Sequence, residues 1–269
     1  MKSLEYRCLR YVIPVLLLAI LPVSESVAAP LSLNILQRVL PIRYKNGEGT
    51  AFVIEIESQE VRRQYLITAK HILANSIEKE AKVDIYINDT WTHLSMKLIR
   101  CASDEIDIIV LAPGQQLISG FPVKLGTDGM ILSEDIYFLG FPFGLSSELN
   151  TKVSEKLGNA PIAFIKKGVL SASKSPTKTS PAHILYLDAH NNPGFSGGPV
   201  VIKRDAQPDP QIIGVISGYR PETHPVIANI NGQAQKIADT LSNSGVVVAY
   251  SIQHAIEAIN KNPIGPVVH

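Results

Sequence analysis

Between Arg38 and Tyr250 the chain breaks into short segments rich in β-branched and apolar residues, each followed closely by turn residues. The first series is Arg38–Tyr44, Thr50–Ile56, Gln64–Thr68, Lys82–Ile87 and Thr92–Cys101, interrupted by KNGEG, ESQEVRR and IND. Apolar and polar residues alternate within them. That spacing predicts an antiparallel sandwich or barrel and argues against βαβ units. Asp107–Ala112 is more continuously apolar, as expected of a strand buried on both faces or at a barrel centre.

A turn-rich stretch, GQQLISGFPVKLGTDG at 114–129, then separates this series from a second. The second comprises Asp135–Phe141, Ala163–Ala172, His183–Asp188, Pro199–Lys203, Gln211–Tyr219 and Gly245–Tyr250. SIQHAIEAIN at 251–260 places Ile252, Ala255, Ile256 and Ile259 at helical spacing, which predicts a C-terminal helix laid against the barrel. Two connections are too long for simple turns, Leu145–Pro161 and Arg220–Ser244. GQAQKIADTLSNSG, in the second, reads as a short helix within a loop.

Aromatic residues make up only 6% of the chain, so the core must rest on Ile, Val and Leu. The formal charge is +1, and residues 1–28 account for it through Lys2, Arg7 and Arg10 against Glu5 and Glu25. The remainder is near neutral and carries no basic stripe of the kind nucleic acids require. At the N-terminus a basic start precedes the apolar run YVIPVLLLAILPV and the small residues of SESVAA. This is the pattern of a secretory signal peptide, with cleavage expected after Ala28. The run is shorter than the ~20 residues of a membrane span, although an uncleaved anchor is the alternative. An exported, periplasmic or secreted protein with no stable span in its mature chain is expected. Cys8 falls in the signal segment, so Cys101 has no partner for a disulfide and is expected to pack as a small hydrophobe.

Chemistry concentrates in LDAHNNPGFSGGPVV at 187–201. Glycines around Ser196 let backbone N–H groups approach a substrate, which an acyl-transfer site needs beside its nucleophile. A tight turn leading into a strand would have the same composition. A serine nucleophile requires a base, and of the seven histidines only His71 has a suggestive setting. In LITAKHIL a strand ends in small residues, and the histidine opens a short helical turn. Asp107 begins a buried strand, where an acid is costly unless it is hydrogen-bonded, for instance to an imidazole. Asp104 and Glu105 compete for that role but read as solvated loop residues.

These segments, GTAFVI with LITAKHIL, DEIDIIVL, LDAHNNPGFSGGPVV and IIGVISGY, resemble the trypsin-like serine peptidases of the chymotrypsin fold. DIYFLGFPFGL and GVLSA are similar to the bacterial high-temperature-requirement type of protease domain. The resemblance covers about residues 35–260 and keeps the order His, Asp, Ser. It implies two six-stranded antiparallel β-barrels with the site between them. On this resemblance 1–28 is the signal peptide, 29–125 the first barrel, 126–260 the second barrel and the helix, and 261–269 a tail. Ser196 becomes the nucleophile, His71 the general base and Asp107 its orienting acid. The backbone N–H groups of Gly194 and Ser196 become the oxyanion donors. His190, at the base of the specificity pocket, and Ser217, Gly218 and Tyr219 on its flank would contact substrate.

The resemblance implies serine endopeptidase activity on protein or peptide substrates, with no cofactor, no metal and no nucleic-acid partner. It says nothing of oligomeric state, and no peptide-binding module is expected after the protease domain. Two positions depart from the family pattern. Phe195 stands where Asp or Asn is usual, so activation through a newly cut N-terminus is not expected. His190 replaces the acid that would select Arg or Lys.

GFSGG also fits the nucleophile elbow of α/β-hydrolases. That elbow needs a helix directly after the serine, and Gly197-Gly198-Pro199 leads into a strand-like PVVIK instead. A chymotrypsin-like scaffold that binds peptides or a partner without cleaving is the remaining alternative.

Overall fold

The computed structural model describes residues 31–58, 60–74, 76–147, 161–204 and 210–268. The signal peptide expected at 1–28 and most of the Leu145–Pro161 connection lie outside the described residues.

After a one-turn helix, α1 (Leu33–Leu36), six strands form the first barrel: β1 (Val39–Tyr44), β2 (Gly47–Ser58), β3 (Val61–Thr68), β4 (Glu80–Ile87), β5 (Thr90–Arg100) and β6 (Ile109–Ala112). They close in the order β1-β2-β3-β6-β5-β4, every pair antiparallel. Closure removes the free edges that an open sheet would present.

The second unit contains β7 (Lys124–Leu125), β8 (Asp135–Gly140), β9 (Phe164–Lys174), β10 (Ile184–Asp188), β11 (Pro199–Ile202), β12 (Gln211–Ile230) and β13 (Gln233–Ser251). Their order is β11-β8-β9-β10-β13-β12-β7, and an additional β11–β12 pairing closes six of them into a ring. β7 joins as a parallel seventh strand on β12. The chain ends in α2 (Gln253–Lys261), and residues after it pair with β3 through Gln64 N–H to Pro266 O and Val268 N–H to Arg62 O.

Three apolar clusters explain the sequence pattern. One fills the first barrel with Leu40, Val53, Leu66, Ile85 and Leu111. Another fills the second with Phe138, Leu170, Leu187, Phe195 and Ile216. The third lies between the two and joins Phe52, Ile54, Ile67 and Val110 to Val201, Val215, Ile252, Ala255 and Ile259. Alternate residues of β2 and β6 therefore face different cores. This is why Thr50–Ile54 and Ile108–Ala112 are buried on both faces and lack the usual polar alternation. Helix α2 contributes Ala255 and Ile259 to the shared cluster, as its spacing predicted.

The Arg220–Ser244 connection is neither a loop nor helical. β12 and β13 continue pairing from Pro221↔Asn243 to Ile230↔Gln233 and form a long exposed hairpin arm. Asn231 and Gly232, with φ of 53° and 83°, make its two-residue turn. Both central residues at positive φ match the twist of the flanking strands, so the turn sets the register and overrides the helical spacing of QKIADTL.

Candidate active site

β3 ends at Thr68, and a 3-10 turn at Lys70–Leu73 follows directly, which sets His71 at the mouth between the barrels. Asp107 lies just before β6, with its side chain only 17% exposed. Both carboxylate oxygens engage His71. Oδ2 is 2.7 Å from Nδ1, and Oδ1 accepts the His71 backbone N–H at 2.9 Å. Ser217 Oγ also donates to Oδ2. Burial alone would raise the Asp107 carboxyl, but the His71 bonds, together with that from Ser217, outweigh it and hold it below the ordinary carboxylate value. Asp104 and Glu105 are exposed, as their sequence setting suggested.

Ser196 Oγ donates to the Ser217 carbonyl at 3.0 Å. Ser217 thus touches Asp107 with its side chain and Ser196 with its main chain. Among the described residues no hydrogen bond joins Ser196 to His71.

The loop before Ser196 is held by its carbonyls. Pro193 O accepts the Phe143 N–H at 3.0 Å, Gly194 O accepts Thr50 Oγ1 at 2.6 Å, and Phe195 O accepts the Gly198 N–H at 2.9 Å. In a trans peptide the N–H points opposite the C=O. Tying down Pro193 O and Phe195 O therefore aims the N–H groups of Gly194 and Ser196 the other way. Neither has an acceptor among the described residues. Gly194 adopts φ +101°, and a Cβ there would run into the Phe141 carbonyl, so only glycine fits.

Phe195 is fully buried and packs edge-on against Phe138, with ring centroids 5.1 Å apart. The absence of a hydrogen-bonding side chain there is offset by apolar anchoring. His190 is exposed, and its carbonyl, not its ring, is engaged, accepting a bond from Lys166. Gly218 is half-buried and Tyr219 is 40% exposed, at the point where β12 leaves the barrel body.

A cleft of about 700 Å³ opens beside Gly194, lined in part by Arg43, Trp91, Phe141, Phe143 and Pro193. The Arg43 guanidinium stacks 3.9 Å from the Trp91 ring centroid and pairs with Glu48 at 2.8 Å, so its charge is already matched. No three His, Cys, Asp or Glu side chains among the described residues gather as a metal would require. The sequence reading missed Thr50, Phe143 and Lys166. Each lies in an ordinary strand or turn motif, and its role depends on a loop distant in sequence.

A closed antiparallel barrel and a second, mainly antiparallel ring, with a histidine, an aspartate and a glycine-flanked serine at their junction, have the chymotrypsin-like architecture. Residues 49–207 match the trypsin-like peptidase domain, and the chain belongs to that family of serine-type peptidases, which act on proteins or peptides. Comparison with curated protein sequences gives no match. Among solved structures, the active form of the Rv3671c protease from M. tuberculosis superposes with a TM-score of 0.52 at 18% identity, covering 87% of this chain and 85% of that one. A serine-to-alanine mutant of Rv3671c from M. tuberculosis H37Rv, in its inactive form, gives 0.50 at 16% identity, covering 87% and 90%. The HtrA-type protease AlgW, as a serine-to-alanine mutant with a tripeptide, gives 0.51 at 18% identity, covering 86% of this chain but 62% of that one. At such identities the likeness concerns the fold.

Proposed function

We propose that the protein is an active endopeptidase that cleaves through an acyl-enzyme on Ser196. The observation that carries this reading is the two-point grip of Asp107 on His71, through Nδ1 and the backbone N–H. With Nδ1–H donated to Asp107, the neutral imidazole keeps Nε2 as a proton acceptor. Ser196 Oγ turns from the Ser217 carbonyl toward Nε2, passes its proton to it and attacks the substrate carbonyl carbon. The developing oxyanion is met by the N–H groups of Gly194 and Ser196. The C–N bond then breaks, and His71 returns the proton to the leaving amine. Water repeats the sequence and frees the acid product and the serine.

Past Ile216 the outer edge of β12 carries no strand partner among the described residues, so Ser217–Tyr219 offers an edge to an extended peptide. His190, which is exposed, is assigned to substrate contact with them. We assign the protein to an exported compartment, periplasmic or secreted, on the basic, apolar and small-residue pattern of residues 1–28.

One observation favours a non-catalytic peptide-binding scaffold: the Ser196 hydroxyl is turned toward Ser217, away from the base. Labelling by a fluorophosphonate, with Ser196→Ala as control, decides between the two. Wild-type labelling that is lost in the control supports the peptidase. Folded wild-type protein that stays unlabelled at neutral pH supports the scaffold.

A further inference from the structure

Lys166 occupies a partly buried position on β9. On β9 it pairs with Phe138, whose ring fills the second barrel, while its neighbour Lys167 turns outward to Asp135. Lys166 thus shares the inward face with Phe138 and is half-buried. An ammonium held there loses water and needs partners to make up for it. Among the described residues its partners belong to one short segment. Nζ donates to the His190 carbonyl at 2.6 Å and to Asn192 Oδ1, and it lies 5.2 Å from the centroid of the Phe195 ring.

We propose that Lys166 is a positioning residue whose ammonium clamps residues 190–195 and so fixes the orientation of the Gly194 and Ser196 N–H groups. It touches neither substrate nor reacting atoms. Three contacts converge on it: a main-chain carbonyl on one side of the bend, a side-chain amide within it, and the aromatic ring adjoining Ser196. The Asn192 carbonyl in turn accepts the Phe195 N–H at 3.3 Å, so the clamp passes into the Gly194–Phe195 peptide, which links the Gly194 N–H to the Ser196 N–H. Bonds from an ionised donor are stronger than neutral ones, and the ring face adds a cation–π contact. Burial lowers the Lys166 pKa, as expected for an ammonium taken out of water. The cation that orders the loop is therefore supplied from within the chain, on a neighbouring strand, and no cleavage is needed to create it.

This inference rests on the acyl-transfer reading, and the experiment separates the two. The full chain is titrated with a fluorophosphonate, and the maximal labelling rate and the apparent affinity are measured separately. Lys166→Met keeps the stem and removes the charge. It is expected to lower the maximal rate about tenfold to a hundredfold, leave the affinity near wild type, and stay folded by thermal unfolding. Lys166→Arg is expected to recover part of the rate. Asn192→Ala removes one acceptor without disturbing the barrel interior and is expected to lower the rate several-fold, which provides the test if Lys166→Met does not fold. Wild-type rates in folded Lys166→Met, or in Asn192→Ala, would overturn the clamp. An unlabelled wild type would instead remove the peptidase reading beneath it.

Discussion

Thr50 Oγ1 donates to the Gly194 carbonyl at 2.6 Å, so a strand of the first barrel holds the glycine loop of the second. The same oxygen accepts the Phe141 N–H at 3.1 Å, and the Thr50 N–H donates to Ser196 O at 2.8 Å. One fully buried threonine therefore ties together the two barrels, the glycine loop and the serine.

Thr50→Val keeps the shape and deletes the hydroxyl, stranding the Gly194 carbonyl and the Phe141 N–H. Each stranded group costs about 1–3 kcal/mol when buried, so a clear drop in unfolding temperature is expected. Fluorophosphonate labelling is expected to slow about tenfold or more, as the freed Gly194–Phe195 peptide no longer fixes the N–H groups on either side of it. Thr50→Ser is expected to retain most of both.

Asp107 gives a pH signature. Its folded pKa lies below the ordinary value, so its ionisation contributes stability above the unfolded carboxylate value of about 3.9. That contribution is lost as pH falls through the lower, folded value. Asp107→Asn is expected to unfold at a lower temperature than wild type near neutral pH, and the gap is expected to close below about pH 4. Turnover of the variant is expected to fall by about 10⁴, because the imidazole loses its fixed tautomer.

Phe195 anchors the loop through the core, so truncation should be costly. Phe195→Ala is expected to lose about 3–5 kcal/mol in chemical denaturation. Phe195→Asn, which restores the residue type usual in the family, is expected to be no better, since its amide would replace the ring packed on Phe138 in an apolar cluster.

The hairpin arm beyond Tyr219 is exposed along nearly all of its length, including Ile227, Ile237 and Leu241. Replacing residues 222–242 with a short turn is expected to leave the unfolding temperature almost unchanged, because the removed side chains lie outside the three cores. A large fall in a thermal melt would show that the arm supports the barrel.

Cys101 packs against the shared core, and burial pushes its thiol up to about 12. At pH 8 native protein is expected to resist alkylation at Cys101, and peptide mapping is expected to find the adduct only after denaturation.

Much of the fold was readable because strand alternation and turn residues are local signals. β1 to β6 and β8 to β11 fall close to the segments marked by alternation or, for β6, by a continuous apolar run. The arm was missed, although its Asn-Gly turn was a visible signal, because QKIADTL mimics helical spacing. β7 was missed because two residues carry no period, and only pairing with β12 makes them a strand. His71, Asp107 and Ser196 were singled out in the sequence, and the structure bonds His71 to Asp107 and both Asp107 and Ser196 to Ser217.

The amino-acid sequence by itself determined the β architecture and the pair of series, and it marked Ser196, His71 and Asp107 as candidates, since each depends on neighbours a few positions away. Tertiary structure alone decided how the glycine loop is held. Thr50 lies 144 residues from Gly194, and Lys166 faces Phe195 only because β9 pairs with β8. Hydrogen bonds and ring contacts act over a few ångströms in space, so no local pattern could announce them.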